Sequence, residues 1–197
     1  MIPFSVEQFF QIFEDYNRAV FPFQAVLVLI ALIAAFLASK PFSFSNKITS
    51  LLLTFLWLWM GVVYHLLFFS RINPAAFIFA ALFLAQGMLF FYEGVVRNRL
   101  GFRAERNLFG VAGLLFILYS LILYPILGFA HGETYQSMPT FGLPCPTTIF
   151  TFGILLWTRE TVSPRLLIIP SLWSLTGVYA GVNLGVRETL DYRPLES

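Results

Sequence analysis

The residues of this chain that could do chemistry are two histidines and a single cysteine, His65, His131 and Cys145. Imidazole nitrogen and thiolate sulfur are ligands that suit zinc or copper, and the Glu133 carboxylate offers a fourth group. None of these residues has the spacing of a known metal motif, so a metal site requires separate segments to come together. The alternative is that each histidine pairs with a tyrosine or a backbone carbonyl, because polar groups at membrane depth need partners.

A second use of the two imidazoles is the axial ligation of a haem by His65 and His131. The sequence contains no nucleophile–base pair, carboxylate dyad or phosphate-binding loop, so nothing in it supports an enzyme. A small solute is a further possible ligand. The residues that would contact it are Tyr64, His65, Asn73, Gln86, Glu133, Thr147 and Thr148.

Two of these polar residues, and Glu93 in addition, have simpler structural roles to weigh against binding. Asn73 precedes Pro74, a pattern typical of a helix cap. Gln86 near mid-membrane is either part of a functional site or a hydrogen-bonding link between helices. Glu93, seven residues further along the same face, is expected to pair with Arg97 at the i+4 position.

The stretch Pro139–Thr148 interrupts the chain between two hydrophobic segments and places Cys145 between Pro144 and Pro146. Proline disfavours helix for the residue before it and removes an amide donor. A helix that begins only at Pro146 would rise about 20 Å, well below the roughly 30 Å of hydrocarbon. Short, interrupted helices are the best sequence indication of a transporter's site, so we expect this stretch to form its wall.

Composition determines the class of protein to which these residues belong. The chain has 197 residues, of which 58% are hydrophobic and 11% charged, and it contains 24 phenylalanines. Soluble domains carry about 25% charged residues, so this composition predicts a helical membrane protein. A net charge of +2 gives no reason to expect nucleic-acid binding, and one cysteine excludes an internal disulfide.

The hydrophobic pattern predicts an all-α membrane protein in a single transmembrane domain. A short amphipathic helix at residues 5–17, with Ser5 and Gln8 in a capping-box pattern, is expected to lie at the membrane surface or to pack on the bundle. Six segments of roughly the 20 residues that cross a membrane follow it. They cover residues 20–39, 48–69, 74–95, 107–129, 141–158 and 165–185.

The distribution of positive charge predicts the orientation of these segments. Eight lysines and arginines lie on one side and four on the other, so the first side is expected to be cytoplasmic and both termini periplasmic. The first set is Lys40, Lys47, Arg97, Arg99, Arg103, Arg106, Arg159 and Arg165, and the second is Arg18, Arg71, Arg187 and Arg193. Both histidines and the cysteine are then on the periplasmic side.

Gly177, Gly181 and Gly185 recur every four residues on the last segment. Small residues at this spacing let two helices approach closely, either within the bundle or across a homo-oligomer. The four tryptophans are expected to be interface anchors or packing residues rather than a cofactor site.

Several stretches resemble an uncharacterised family of bacterial integral membrane proteins. The most specific is the Thr-Phe-Gly-Leu-Pro-Cys-Pro-Thr-Thr run at residues 140–148, and the Tyr-Asn-x-Ala-Val-x-Pro-x-Gln run at residues 16–24 is also similar. The resemblance implies a six-helix protein of the bacterial inner membrane and brings no activity with it. Together these observations predict a small carrier or binding protein for a small solute or metal ion, with a haem-binding subunit or a structural subunit of a larger membrane complex as alternatives.

Overall fold

The computed structural model describes residues 3–40, 42–130 and 132–183, and helices make up most of them. Within these ranges there is no extended strand, only isolated bridges at Phe102–Thr158 and Phe141–Leu143. The prediction of an all-helical chain is therefore confirmed for the described residues. The helices are α1 (Val6–Val20), α2 (Phe23–Ser39), α3 (Ser45–Arg71), α4 (Ala76–Val96), α5 (Leu108–Ala130), α6 (Pro144–Leu155) and α7 (Pro164–Asn183).

Helix α1 begins with the predicted capping box. The Ser5 hydroxyl accepts from the Gln8 amide at 3.2 Å, and the Ser5 amide donates to the Gln8 side chain at 2.9 Å. These two bonds satisfy amide groups that have no partner in the first helical turn. One face of α1 packs against α3, and it consists of Ile12, Phe13, Tyr16, Asn17 and Val20.

Among the described residues, three helices, α3, α4 and α5, are long and apolar enough to cross a membrane. A fourth span results if α1 and α2, which meet at an angle of 87°, are counted as one broken span. Helix α6 has 12 residues and rises only about 18 Å, against about 30 Å of hydrocarbon. Length and composition therefore account for three or four spans, and the predicted six are not established by them.

Each of the three long helices contains a π-helical segment. These segments are Met60–Phe68 in α3, Phe91–Val96 in α4 and Tyr119–Leu123 in α5. π-Helical segments are rare in proteins, and many of those that occur lie at functional sites. The longest of them carries Tyr64 and His65.

Helix α3 packs along α2 and α4, α5 packs on α6, and α7 contacts α4 and α6. Trp57 is fully buried where these layers meet. Its ring lies 4.7 Å from that of Phe83 on α4, and its indole N–H donates to the Thr151 hydroxyl on α6 at 3.1 Å. The core is thus joined across three helices, and α6 is held in it despite its short length.

Candidate functional site

Asn17 of α1 holds the loop that leads into α6. Its side chain is fully buried and donates to the carbonyls of Gln136 and Met138, both at 2.8 Å, and to that of Tyr135 at 3.3 Å. Its amide oxygen accepts from the Thr140 hydroxyl at 2.6 Å. One side chain therefore satisfies the backbone of a loop more than a hundred residues away in the sequence.

A tight turn at Gly142 continues this contact. Gly142 has φ of +101°, a backbone conformation that favours glycine. A Cβ at this position would collide with Leu27 and lie 3.0 Å from the Tyr16 hydroxyl. Because the Tyr16 hydroxyl also accepts from the Trp59 indole at 2.9 Å, the turn is packed against α1, α2 and α3 together.

Helix α6 begins at Pro144, not at Pro146, so Cys145 lies within its first turn. The expectation that the two prolines keep Cys145 out of the helix is wrong, because amides in the first turn have no intrahelical partner to lose. The Thr147 hydroxyl accepts from the Gly142 amide at 3.1 Å. Thr147 therefore ties the start of the helix to the turn before it.

His65 is fully buried in a shell of aromatic rings. Its ring centroid lies 4.5 Å from that of Phe83 and 5.2 Å from that of Trp173, with Tyr64, Phe69 and Phe79 within 6.0 Å. Both ring nitrogens are buried without a hydrogen-bond partner among the described residues. The predicted pairing of His65 with a tyrosine hydroxyl or a carbonyl is not present there.

Cys145 reaches the same region from α6. Its thiol lies against the Trp173 indole and the Tyr124 hydroxyl. Trp173 Nε1 is buried beside the sulfur and forms no hydrogen bond of ordinary geometry within the part of the chain that the structure describes. Since the Trp173 ring also packs on His65, these side chains form one continuous group. We call it the interior cluster, and it consists of Tyr64, His65, Tyr124, Cys145 and Trp173.

Two other predicted residues carry unpaired polar atoms inside the bundle. The Thr148 hydroxyl is buried without a partner among the described residues, and Thr148 is three positions after Cys145 on α6, so the two share a helix face. Gln86 is fully buried and donates to the Leu166 carbonyl at 3.0 Å, while its oxygen stays unpaired. Gln86 thus forms a hydrogen-bonding link between helices α4 and α7, as expected for its structural role.

Asn73 and Glu133 lie outside the interior cluster. The Asn73 oxygen accepts from the Ala75 amide at 3.0 Å in the turn before α4, and α4 itself begins after Ala75 without a side-chain cap. Glu133 folds back over α5, where its carboxylate would lie 3.0 Å from a Cβ on Gly128. In the same loop, partial burial raises the pKa of the Tyr135 phenol.

The predicted metal and haem sites depend on His131, which lies outside the described residues. Within residues 3–40, 42–130 and 132–183, no three His, Cys, Asp or Glu side chains come close enough to hold a metal ion. Gly185 also lies outside the described residues. At Gly177 a Cβ would meet nothing within 4 Å, so the described part of the chain makes no close helix approach there.

Three residues at the site were not candidates in the sequence. Trp173 and Tyr124 complete the interior cluster, and Asn17 positions the loop above it. The only available signal was that Asn17 belongs to the run at residues 16–24 that resembles the uncharacterised membrane family. Trp173 and Tyr124 belong to hydrophobic segments in which no spacing distinguishes them.

One known protein family covers nearly the whole chain. The model of a family of unknown function, DUF6064, matches residues 6–192. The chain belongs to the DUF6064 family. The match includes Asn17, His65 and the whole Pro139–Thr148 stretch, so the interior cluster of this DUF6064 protein lies within the family's shared region. No curated protein and no solved structure matches the chain.

Proposed function

We propose that this DUF6064 protein is an integral protein of the bacterial inner membrane with six transmembrane helices and both termini in the periplasm. Three long apolar helices support a membrane location. Helix α5 supports a membrane location further. Only 22% of its most apolar 18-residue stretch is buried inside the protein, so the rest can contact lipid. The excess of lysine and arginine on one side supports the orientation.

Within this membrane protein, the interior cluster binds a small solute or a metal ion close to the periplasmic face. The observation that carries this proposal is the pair of unpaired ring nitrogens on the fully buried His65. An unsatisfied buried polar group costs about 1–3 kcal/mol. The Trp173 indole, whose ring packs on His65, carries the same cost, and so does the Thr148 hydroxyl on α6. A bound ligand would remove these costs.

The chemistry of the interior cluster restricts the ligand. An imidazole offers one donor and one acceptor, the indole and the phenols offer donors, and the thiol offers a soft ligand atom. The surrounding aromatic rings are apolar, which favours a small ligand with few polar atoms. A metal ion on His65 and Cys145 would be zinc or copper, and it would need His131 or a solvent molecule to complete its coordination.

The test is to identify the ligand that the protein carries when it is purified from membranes in a mild detergent. Elemental analysis detects zinc or copper, native mass spectrometry detects a bound solute, and an absorbance spectrum detects haem. The variants are His65→Phe and Cys145→Ser. Thr49→Val is a matched control, because Thr49 also has a buried unpaired hydroxyl but belongs to the other end of α3.

We expect a stoichiometric metal or solute on the wild-type protein and on Thr49→Val, and its loss from the other two variants. Wild-type protein that carries no ligand after expression in rich, metal-supplemented medium would contradict the proposal. Retention of the ligand by both His65→Phe and Cys145→Ser would contradict the location of the site. A Soret band lost in His65→Phe would identify haem instead.

A further inference from the structure

A polar cleft of about 500 Å³ opens at the opposite end of the bundle from the interior cluster. It lies between the end of α4, the segment that follows it and the start of α7. Three arginines line it, Arg97, Arg99 and Arg165, together with the hydroxyl side chains of Thr161 and Ser163. This is the end that the distribution of positive charge predicts to be cytoplasmic.

The local backbone determines where the arginines lie. Asn98 has φ of +51°, and the amides of Arg97 and Arg99 donate to the carbonyls of Tyr92 and Glu93, both at 2.8 Å. These bonds end α4 with a left-handed residue, a common way for a helix to stop. The reversal at Asn98 places the arginines on either side of it at the mouth of the cleft.

The opposite wall of the cleft is fixed in the same way. The Leu166 carbonyl in the first turn of α7 accepts from Gln86 at 3.0 Å, which holds α7 on α4. The segment after α4 is bridged to the segment after α6, since the Arg159 amide donates to the Gly101 carbonyl at 2.9 Å. The walls of the cleft are therefore joined by hydrogen bonds between the segments that form them.

The charge balance of the cleft favours an anion. Two carboxylates also line it, Glu93 and Glu160, and Glu93 pairs with Arg97 at 3.8 Å. Three arginines against two carboxylates leave the cleft with one excess positive charge. Arg99 and Arg165 have no ion-pair partner among the described residues, and both are exposed. The first turn of the 20-residue helix α7 adds the partial positive charge of a helix N-terminus.

We propose that this cleft binds a phosphate group, with Arg99 and Arg165 as its principal contacts. Guanidinium groups bind phosphate oxygens through paired charge-assisted hydrogen bonds, and the two hydroxyl residues supply further donors. The phosphate comes either from an anionic phospholipid at the membrane surface or from a soluble phosphate. The site is separate from the interior cluster and does not depend on the function proposed for it.

The experiment measures the binding of a phospholipid and of a soluble phosphate to the purified full-length protein. Native mass spectrometry compares the retention of phosphatidylglycerol with that of phosphatidylcholine, and calorimetry measures the binding of inorganic phosphate in a neutral detergent. The variants are Arg99→Gln and Arg165→Gln. Arg106→Gln is the matched control, because Arg106 is an exposed arginine at the same end of the bundle that does not line the cleft.

We expect each cleft variant to weaken binding at least about tenfold, the loss of one hydrogen bond to a charged group, and Arg106→Gln to bind like the wild type. Retention of phosphatidylglycerol that inorganic phosphate does not displace identifies a lipid headgroup, whereas calorimetric binding of inorganic phosphate identifies a soluble ligand. The proposal is overturned if neither probe binds, or if Arg106→Gln weakens binding as much as the cleft variants do.

Discussion

Asn17 provides the most direct test of how α1 and the loop before α6 hold each other. We consider Asn17→Ala, which removes the amide, and Asn17→Asp, which keeps its shape. In the aspartate variant an oxygen replaces the amide nitrogen and faces the carbonyls of Tyr135, Gln136 and Met138. Because two acceptors then oppose each other, we expect the aspartate variant to be at least as unstable as the alanine variant.

The expected loss of stability in Asn17→Ala follows from the number and length of the hydrogen bonds that are removed. The amide nitrogen has only two hydrogens, so the two bonds at 2.8 Å count in full and the third, at 3.3 Å, shares a donor. The bond from Thr140 at 2.6 Å is the third full one. At about 1 kcal/mol for each bond, the loss is about 3 kcal/mol. For a chain of this size it corresponds to a decrease of about 6–12 °C in melting temperature.

The assay is thermal unfolding in detergent, combined with hydrogen exchange of the loop amides between residues 132 and 143. Thr140→Val removes one of the three bonds and should give about a third of the effect. Gln11→Ala is the control, since Gln11 is exposed on the same helix and bonds only to Asp15. Our reasoning is wrong if Asn17→Ala melts within about 2 °C of this control and its loop amides exchange no faster. The hydrogen bonds of Asn17 would then contribute little to stability.

Three further predictions concern single side chains. Gly142→Ala should lower the stability by about 1–3 kcal/mol in thermal unfolding, because its Cβ would collide with Leu27. His65→Phe should raise the melting temperature of ligand-free protein, because it removes two buried nitrogens that cost about 1–3 kcal/mol each; a lower temperature would indicate that the imidazole is satisfied. Trp57→Phe and Thr151→Val should show a coupling of about 1 kcal/mol in a double-mutant cycle, the value of their shared hydrogen bond.

Features that depend on a few neighbouring residues could be predicted from the sequence. The capping box at Ser5 and Gln8 forms as expected, and Glu93 pairs with Arg97. Asn73 bonds to the Ala75 amide within the turn before α4, although α4 itself begins without a side-chain cap. Each of these contacts joins residues within one helical turn, so local spacing carries the necessary information.

The interior cluster could be predicted only in part. The distribution of positive charge predicts that His65 and Cys145 lie on the same side of the membrane, but not that Trp173 contacts both of them. Contacts between residues a hundred positions apart depend on how helices pack, which a single sequence does not encode in its spacing. The start of α6 was misplaced for a different reason, because the rule that proline breaks helices does not apply to the first turn.

The π-helical segment at Met60–Phe68 makes the placement of His65 sensitive to the length of the chain. A π-helical turn holds one more residue than an α-helical turn. If one residue were deleted from this segment, α3 could continue as a regular α-helix and the residues after the segment would keep nearly their present angles, because five residues of π-helix turn about as far as four of α-helix. The side chains inside the segment are the ones that would shift, and His65 is among them. The extra residue thus sets the position of the imidazole against the ring of Phe83, while the two ends of α3 keep their packing.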